Sequence, residues 1–164
     1  AGIDFTAISE EKDIERQLTE MEKSGKIEAG QRQLVPTRKL YHFFNSELGN
    51  QMTDAMAQGK LYREQPFVLG VQAKEVFVEQ ESEQTVLVQG IIDSFYESTD
   101  GIVLIDYKTD RLQDGQEELL RKRYLVQMEF YRKALERITG RKVIQGYLYS
   151  FSLSKSISCF NMKG

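Results

Sequence analysis

Asp93, Asp106 and Lys108 are the residues of this sequence whose types and spacing could do chemistry together. Asp106 and Lys108 lie two apart in an apolar, β-branched run, so on a strand they project from one face. Asp93 lies on the preceding run of the same kind, separated from the next by the turn signal Ser98-Thr99-Asp100-Gly101. A two-residue turn at Asp100-Gly101 sets Asp93 opposite Lys108, whereas a four-residue turn over Ser98 to Gly101 sets it opposite Asp106. Either even-length loop brings all three charges to one face, while an odd loop or a one-residue bulge breaks the arrangement. Neighbouring carboxylates repel each other and raise one another's pKa. A hard divalent cation relieves this by taking carboxylate oxygens and filling its shell with water and phosphate, which suits Mg²⁺, with Mn²⁺ as a substitute. The Tyr107 carbonyl, between Asp106 and Lys108, is a further oxygen ligand in this reading. Lys108 is then placed to orient or deprotonate an attacking water and to offset charge on a phosphate.

The elements that position these groups follow from periodicity. Ile14, Leu18 and Met21 recur at helical spacing after Ser9, a possible N-cap. After Pro36, Thr37 can cap a helix whose apolar stripe runs Leu40, Phe43, Phe44, Leu48 and on to Met52 and Met56, ended by Gly59. Period-two patterning then marks strands at Leu61 to Val71, Val76 to Val78, Thr85 to Glu97 and Ile102 to Lys108. A helix from Gln116 to Thr139 carries Leu119, Leu120, Tyr124, Met128, Tyr131 and Leu135 on one side and stops at Gly140. A last strand runs from Lys142 to Phe151. Helices, a three-strand meander, a helix and a strand give an α/β domain with a mixed sheet flanked by helices, one domain over residues 1–164.

Bulk composition narrows the function. The chain has 164 residues, 29% of them charged, and a net charge of −3, so any nucleic-acid contact is local or metal-assisted. Cys159 is the one cysteine, which excludes an internal disulfide and a four-cysteine metal site and fits a cytoplasmic protein. No apolar run is long enough to span a membrane, so no membrane partner is expected. The chain opens at Ala1-Gly2-Ile3 without Met and stops at Lys163-Gly164, as a fragment of a longer protein would.

These residues resemble the PD-(D/E)XK nuclease superfamily, in particular its RecB-like branch. That branch is marked by G-x-x-D on one strand, D-x-K on the next and Q-x-x-x-Y on the following helix, here Gly90/Asp93, Asp106/Lys108 and Gln127/Tyr131. Further runs, Tyr62-Arg63-Glu64-Gln65-Pro66-Phe67, Val88 to Asp93 and Leu104 to Asp110, are similar to the AddA family of helicase–nuclease subunits over nearly the whole chain. The resemblance implies a restriction-endonuclease-like fold and a Mg²⁺-dependent DNA exonuclease. Its substrate would be single-stranded DNA fed by an attached ATP-driven helicase during double-strand-break repair and recombination. It also implies a partner subunit of the AddB type, and it places Gln127 and Tyr131 near the substrate phosphate.

Glu64, in the E-x-P-F pattern, is expected beside the site as a further ligand or a support. Thr109 is expected to support Asp106 and Lys108, and Asp110 to cap the segment after it. Arg111, Arg121, Arg123 and Tyr124 are the candidate DNA contacts, and the acidic run Glu79 to Glu83 is read as a hairpin turn repelled by DNA. One departure stands out. The family's metal-binding histidine lies in a G-x-x-x-H pattern, whereas His42, the single histidine, follows Arg38 and sits among Leu40, Phe43 and Phe44. It is expected to be a partly buried packing residue, the family's histidine helix lying before Ala1. The rival readings are a non-catalytic module of the same fold, which would commonly lack a carboxylate or the lysine, and a stand-alone RecB-like exonuclease, which commonly adds a cysteine cluster.

Overall fold

The structure is a computed structural model and describes residues 2–28, 30–76 and 84–161. The acidic run Glu79 to Glu83 and the strand residues Phe77 and Val78 lie outside the described residues. Three helices, α1 (Glu11–Lys23), α2 (Thr37–Phe44) and α3 (Glu47–Ala57), precede strand β1 (Leu61–Gln72) and a single helical turn, α4 (Ala73–Val76). Then come β2 (Thr85–Glu97), β3 (Ile102–Lys108), α5 (Glu117–Thr139), β4 (Val143–Ser150) and β5 (Lys155–Asn161). The five strands form one mixed sheet in the order β1-β2-β3-β4-β5, with β3 and β4 parallel across the α5 crossover and every other pair antiparallel.

Each sheet face buries its own core. Phe67, Leu69, Ile92, Leu104 and Leu148 pack under Leu120, Met128 and Leu135 of α5. On the other face Tyr96, Val103, Ile105 and Tyr149 meet Ile14, Leu18, Phe43, Phe44 and Met52 of the N-terminal helices. β3 is therefore apolar on both sides from Ile102 to Ile105, as a strand between two helical layers must be.

Four expectations need correction. The stripe from Leu40 to Met56 belongs to two helices, broken at Asn45-Ser46. Ser46 donates to the Phe43 carbonyl (2.6 Å) and accepts from the Gly49 N–H (3.1 Å), capping α3. A Cβ on Gly49 would stand 2.1 Å from the Phe43 carbonyl oxygen, so the corner requires glycine. The stripe looked continuous because both helices rest on one sheet face. At α1 the N-cap is Glu10 rather than Ser9, and the Asp13 carboxylate takes the N–H groups of Ser9 and Glu10 and the Ser9 hydroxyl. Val76 closes a helical turn instead of opening a strand. Finally, β5 had no clear signal: beside Ile157 it carries mostly polar or small residues, and Phe160 is accommodated because Gly146 on β4 has no Cβ, which would lie 2.5 Å from its ring.

Candidate nuclease site

The β2–β3 hairpin closes with Glu97 opposite Ile102, the four-residue alternative. The ladder runs only to Ser94 opposite Ile105 and then stops, whereas β3 stays bonded to β4 as far as Lys108 opposite Ser150. β2 and β3 therefore part just before Asp93 and Asp106. Alternation also slips there. Ile92 and Phe95, three apart, both enter the core beneath α5, so Asp93 is an extra residue in the pleat. Opposite it on β1, Glu64 is skipped between the pairs Arg63–Ser94 and Gln65–Ile92 and takes a left-handed backbone, φ 53°. The parity argument from loop length thus holds for Asp106 and Lys108 and does not carry through to Asp93.

What locates Asp93 is its hydrogen bond. Its Oδ2 accepts the Tyr107 N–H at 2.9 Å, closing the seam that the ladder leaves open. In an extended strand the N–H and C=O of one residue point to the same side. The Tyr107 carbonyl therefore also faces this seam, while the Lys108 carbonyl bonds the Phe151 N–H on the β4 side.

On the α5 side of the sheet, Asp106 is 2% exposed, and its Oδ2 lies 2.6 Å from Lys108 Nζ. That contact is off the line of a hydrogen bond, so Oδ2 is buried without an aligned donor. Burial pushes the Asp106 carboxyl up to about 6; Lys108 pulls it down and Asp93 raises it again. Lys108 Nζ donates to Gln127 Oε1 (3.2 Å), and Gln127 Nε2 donates to the Tyr131 hydroxyl (2.6 Å). Tyr131 is buried against Phe67, edge-to-face at 5.5 Å between centroids, so it is at once a core residue and a site residue. Because its oxygen accepts from Gln127, its own proton is left to donate elsewhere. A Cβ on Gly90 would come within 3.0 Å of the Phe67 ring and 3.7 Å of Tyr131, which gives the glycine of G-x-x-D a packing reason.

The remaining expectations divide. Tyr124 faces the site, its ring centroid 3.7 Å from Lys108 Nζ. Asp110 caps nothing; it accepts from the Tyr124 hydroxyl (3.0 Å) and from Arg123, a role sequence reasoning missed although Asp106, Lys108 and Asp110 continue one period-two row. Arg123 is thereby tied down, and Arg121 is turned to the Ser158 carbonyl (2.8 Å) and Glu118. Arg111 is exposed; Thr109 is exposed too and has no side-chain hydrogen bond to Asp106 or Lys108 among the described residues. His42 is exposed on α2, so neither packing nor a ligand position beside Asp93 describes it. Glu64 does lie near the site. With Asp93, Arg63, Tyr107 and aromatic residues of α2 it lines a cleft of about 370 Å³ on the N-terminal-helix side.

Among the described residues no three His, Cys, Asp or Glu side chains converge on a point where they could hold a metal ion. The donors at the seam are two carboxylates, one with an oxygen lacking an aligned partner, and a backbone carbonyl. All are oxygens, and so small a set suits a cation that keeps several waters, as Mg²⁺ does.

A mixed sheet whose central strands part over an Asp, an Asp-x-Lys and a helical Gln-x-x-x-Tyr is the frame of a nuclease, and comparison bears this out. The PD-(D/E)XK nuclease superfamily matches residues 6–157, and the chain belongs to that superfamily. It is also similar to proteins named as the AddA-type subunits of ATP-dependent helicase/nucleases. Identity is 38% over 157 residues with that of Alkaliphilus oremlandii (94% of this chain, 13% of that protein) and 40% over 143 residues with that of Acetivibrio thermocellus (85% and 11%). With that of Clostridium perfringens it is 36% over 160 residues (94% and 13%). The chain thus spans about an eighth of the length of the curated relatives it matches. Among the described residues no helix is long and apolar enough to cross a membrane.

Proposed function

We propose that this chain is a metal-dependent DNA nuclease domain in which Asp93, Asp106 and the Tyr107 carbonyl hold Mg²⁺ and Lys108 serves the attacking water. The observation that carries the reading is the Asp106–Lys108 contact: a buried carboxylate with an unaligned oxygen, 2.6 Å from an ammonium, at the seam that Asp93 closes. When bound, the cation polarises the phosphodiester and acidifies a water molecule. Lys108, held by Asp106 and Gln127, orients that water and offsets the charge growing on the phosphate. Gln127 and Tyr131 present an amide and a hydroxyl donor to the strand being cut, and Glu64, across from Asp93, is the further carboxylate within reach of the seam.

The relatives' name and the short share of their length covered here support a longer helicase–nuclease chain. In this reading the domain is one unit of that chain, in the cytoplasm. It degrades single-stranded DNA delivered by the helicase, with a partner of the AddB type, in double-strand-break repair and recombination.

The test is calorimetric titration of Mn²⁺ or Mg²⁺ into the purified chain, wild type beside Asp106→Ala, followed by cleavage of single-stranded DNA with Lys108→Ala added. Metal binding lost in the first variant and cutting lost in both are expected. Undiminished cutting by either variant would sink the assignment.

A further inference from the structure

Resting on the nuclease reading, we infer that Tyr124, latched by Asp110, is the positioning residue of Lys108. A lysine side chain is a flexible stem bearing a compact charge, so an ammonium that must stand at one point has to be walled in. Lys108 Nζ has Asp106 Oδ2 on one side (2.6 Å) and Gln127 Oε1 on another (3.2 Å). The face of the Tyr124 ring, 3.7 Å away, covers a third. An aromatic face attracts an ammonium through its quadrupole and gives it no acceptor atom, so it confines the charge without diverting a proton. The Lys108 side chain is only 12% exposed as a result.

The ring is itself held. Its hydroxyl donates to Asp110 Oδ2 (3.0 Å), and Arg123 grips the other Asp110 oxygen. Asp110 follows Lys108 by two residues, so β3 and the chain leaving it supply both the cation and the anchor of the ring that covers it. Tyr124, Gln127 and Tyr131 stand at i, i+3 and i+7 on α5 and form one stripe over the seam. Tyr124 therefore acts through Lys108, at the entrance turn of the helix, as Gln127 does one turn deeper.

The experiment compares Tyr124→Leu, Tyr124→Phe and Lys108→Ala by steady-state cleavage of single-stranded DNA and by NMR of the Lys108 ε-methylene protons, with thermal unfolding as a folding control. Tyr124→Leu should lower kcat about tenfold at nearly unchanged KM, and Tyr124→Phe, which keeps the ring and loses the latch, should lose only about threefold. The ε-methylene resonance, identified by its absence in Lys108→Ala, should be shifted upfield by the ring in wild type and Tyr124→Phe and lie at the ordinary lysine position in Tyr124→Leu. A rise in KM with kcat intact would mean that the ring stacks on a base instead, and the inference falls. It falls equally if Lys108 is unshifted in wild type, a readout that does not depend on turnover and is carried by Tyr124→Phe should Tyr124→Leu fail to fold. Full cutting by Lys108→Ala would overturn the nuclease reading itself, whereas a dead Lys108→Ala beside an unimpaired Tyr124→Leu would overturn only the positioning role.

Discussion

Asp106→Asn replaces a buried carboxylate by an amide of the same shape, and the structure fixes what this does to stability at each pH. The Asp106 carboxyl is pushed from 3.8 to about 6, chiefly by burial. Between those values the folded chain holds a proton that the unfolded chain has released, so stability falls as pH rises through the window and is level above it. Each unit costs about 1.36 kcal/mol, and a window of about two units gives a total of about 3 kcal/mol. The amide mimics the protonated acid and pays none of this. Urea unfolding of the metal-free proteins should therefore show the variant equal to wild type near about pH 4 and more stable by up to about 3 kcal/mol at about pH 7.5. The same variant should bind no Mn²⁺ in calorimetry, so added metal should raise the midpoint of wild type alone. A variant less stable than wild type at neutral pH would refute the reasoning, since it would mean that the Lys108 attraction outweighs the burial of the charge.

Other elements give sharper structural tests. Gly49→Ala drives a Cβ into the Phe43 carbonyl and should cost about 3 kcal/mol in urea unfolding; a cost below about 1 kcal/mol would mean that the α2–α3 corner is free to open. Asp13, held down to about 2 first by the backbone N–H groups of Ser9 and Glu10 and then by the Ser9 hydroxyl, adds stability that is complete above 3.8 and lost as pH falls towards 2. Asp13→Asn should flatten that acid limb in a circular-dichroism titration, and an unchanged limb would place the loss elsewhere. Glu64→Gly removes a side chain from a left-handed backbone and should gain up to about 1 kcal/mol while weakening Mn²⁺ binding; unchanged affinity would remove Glu64 from the ligand set.

Much of this was legible in the sequence, for identifiable reasons. Strands β1, β2, β3 and β4 and helix α5 carry strong periodicity bounded by turn residues, so their limits came out within one or two residues. Asp106, Lys108, Gln127 and Tyr131 are set by local spacing on one strand and one helix, and local spacing is what a sequence displays. Asp93 is different: its motif marked it, but its position depends on an extra residue in each of two strands distant in sequence, and neither shows in the hydrophobic pattern. The split at Asn45-Ser46 was hidden because a stripe records which face is buried and not whether the axis bends. The basic residues Arg121 and Arg123 read as DNA contacts by composition, yet their partners, the Ser158 carbonyl and Asp110, come from distant or irregular segments. His42 was drawn toward the core by its apolar neighbours, although its own position on α2 faces outward.

The paired slip of β1 and β2 ties inheritance of the fold to inheritance of the chemistry. Deleting Glu64 alone would turn Phe67, Leu69 and Val71 to the outer face and bring Pro66, Val68 and Gly70 inward. Deleting Glu64 and Asp93 together would restore plain alternation on both strands, and the arm would keep its core. The single length change in this hairpin that preserves packing is thus the one that removes a carboxylate from the seam. A lineage that shortens both strands keeps a folded arm and loses a ligand, so strand length, read alongside residue identity, separates active from relic copies of this domain.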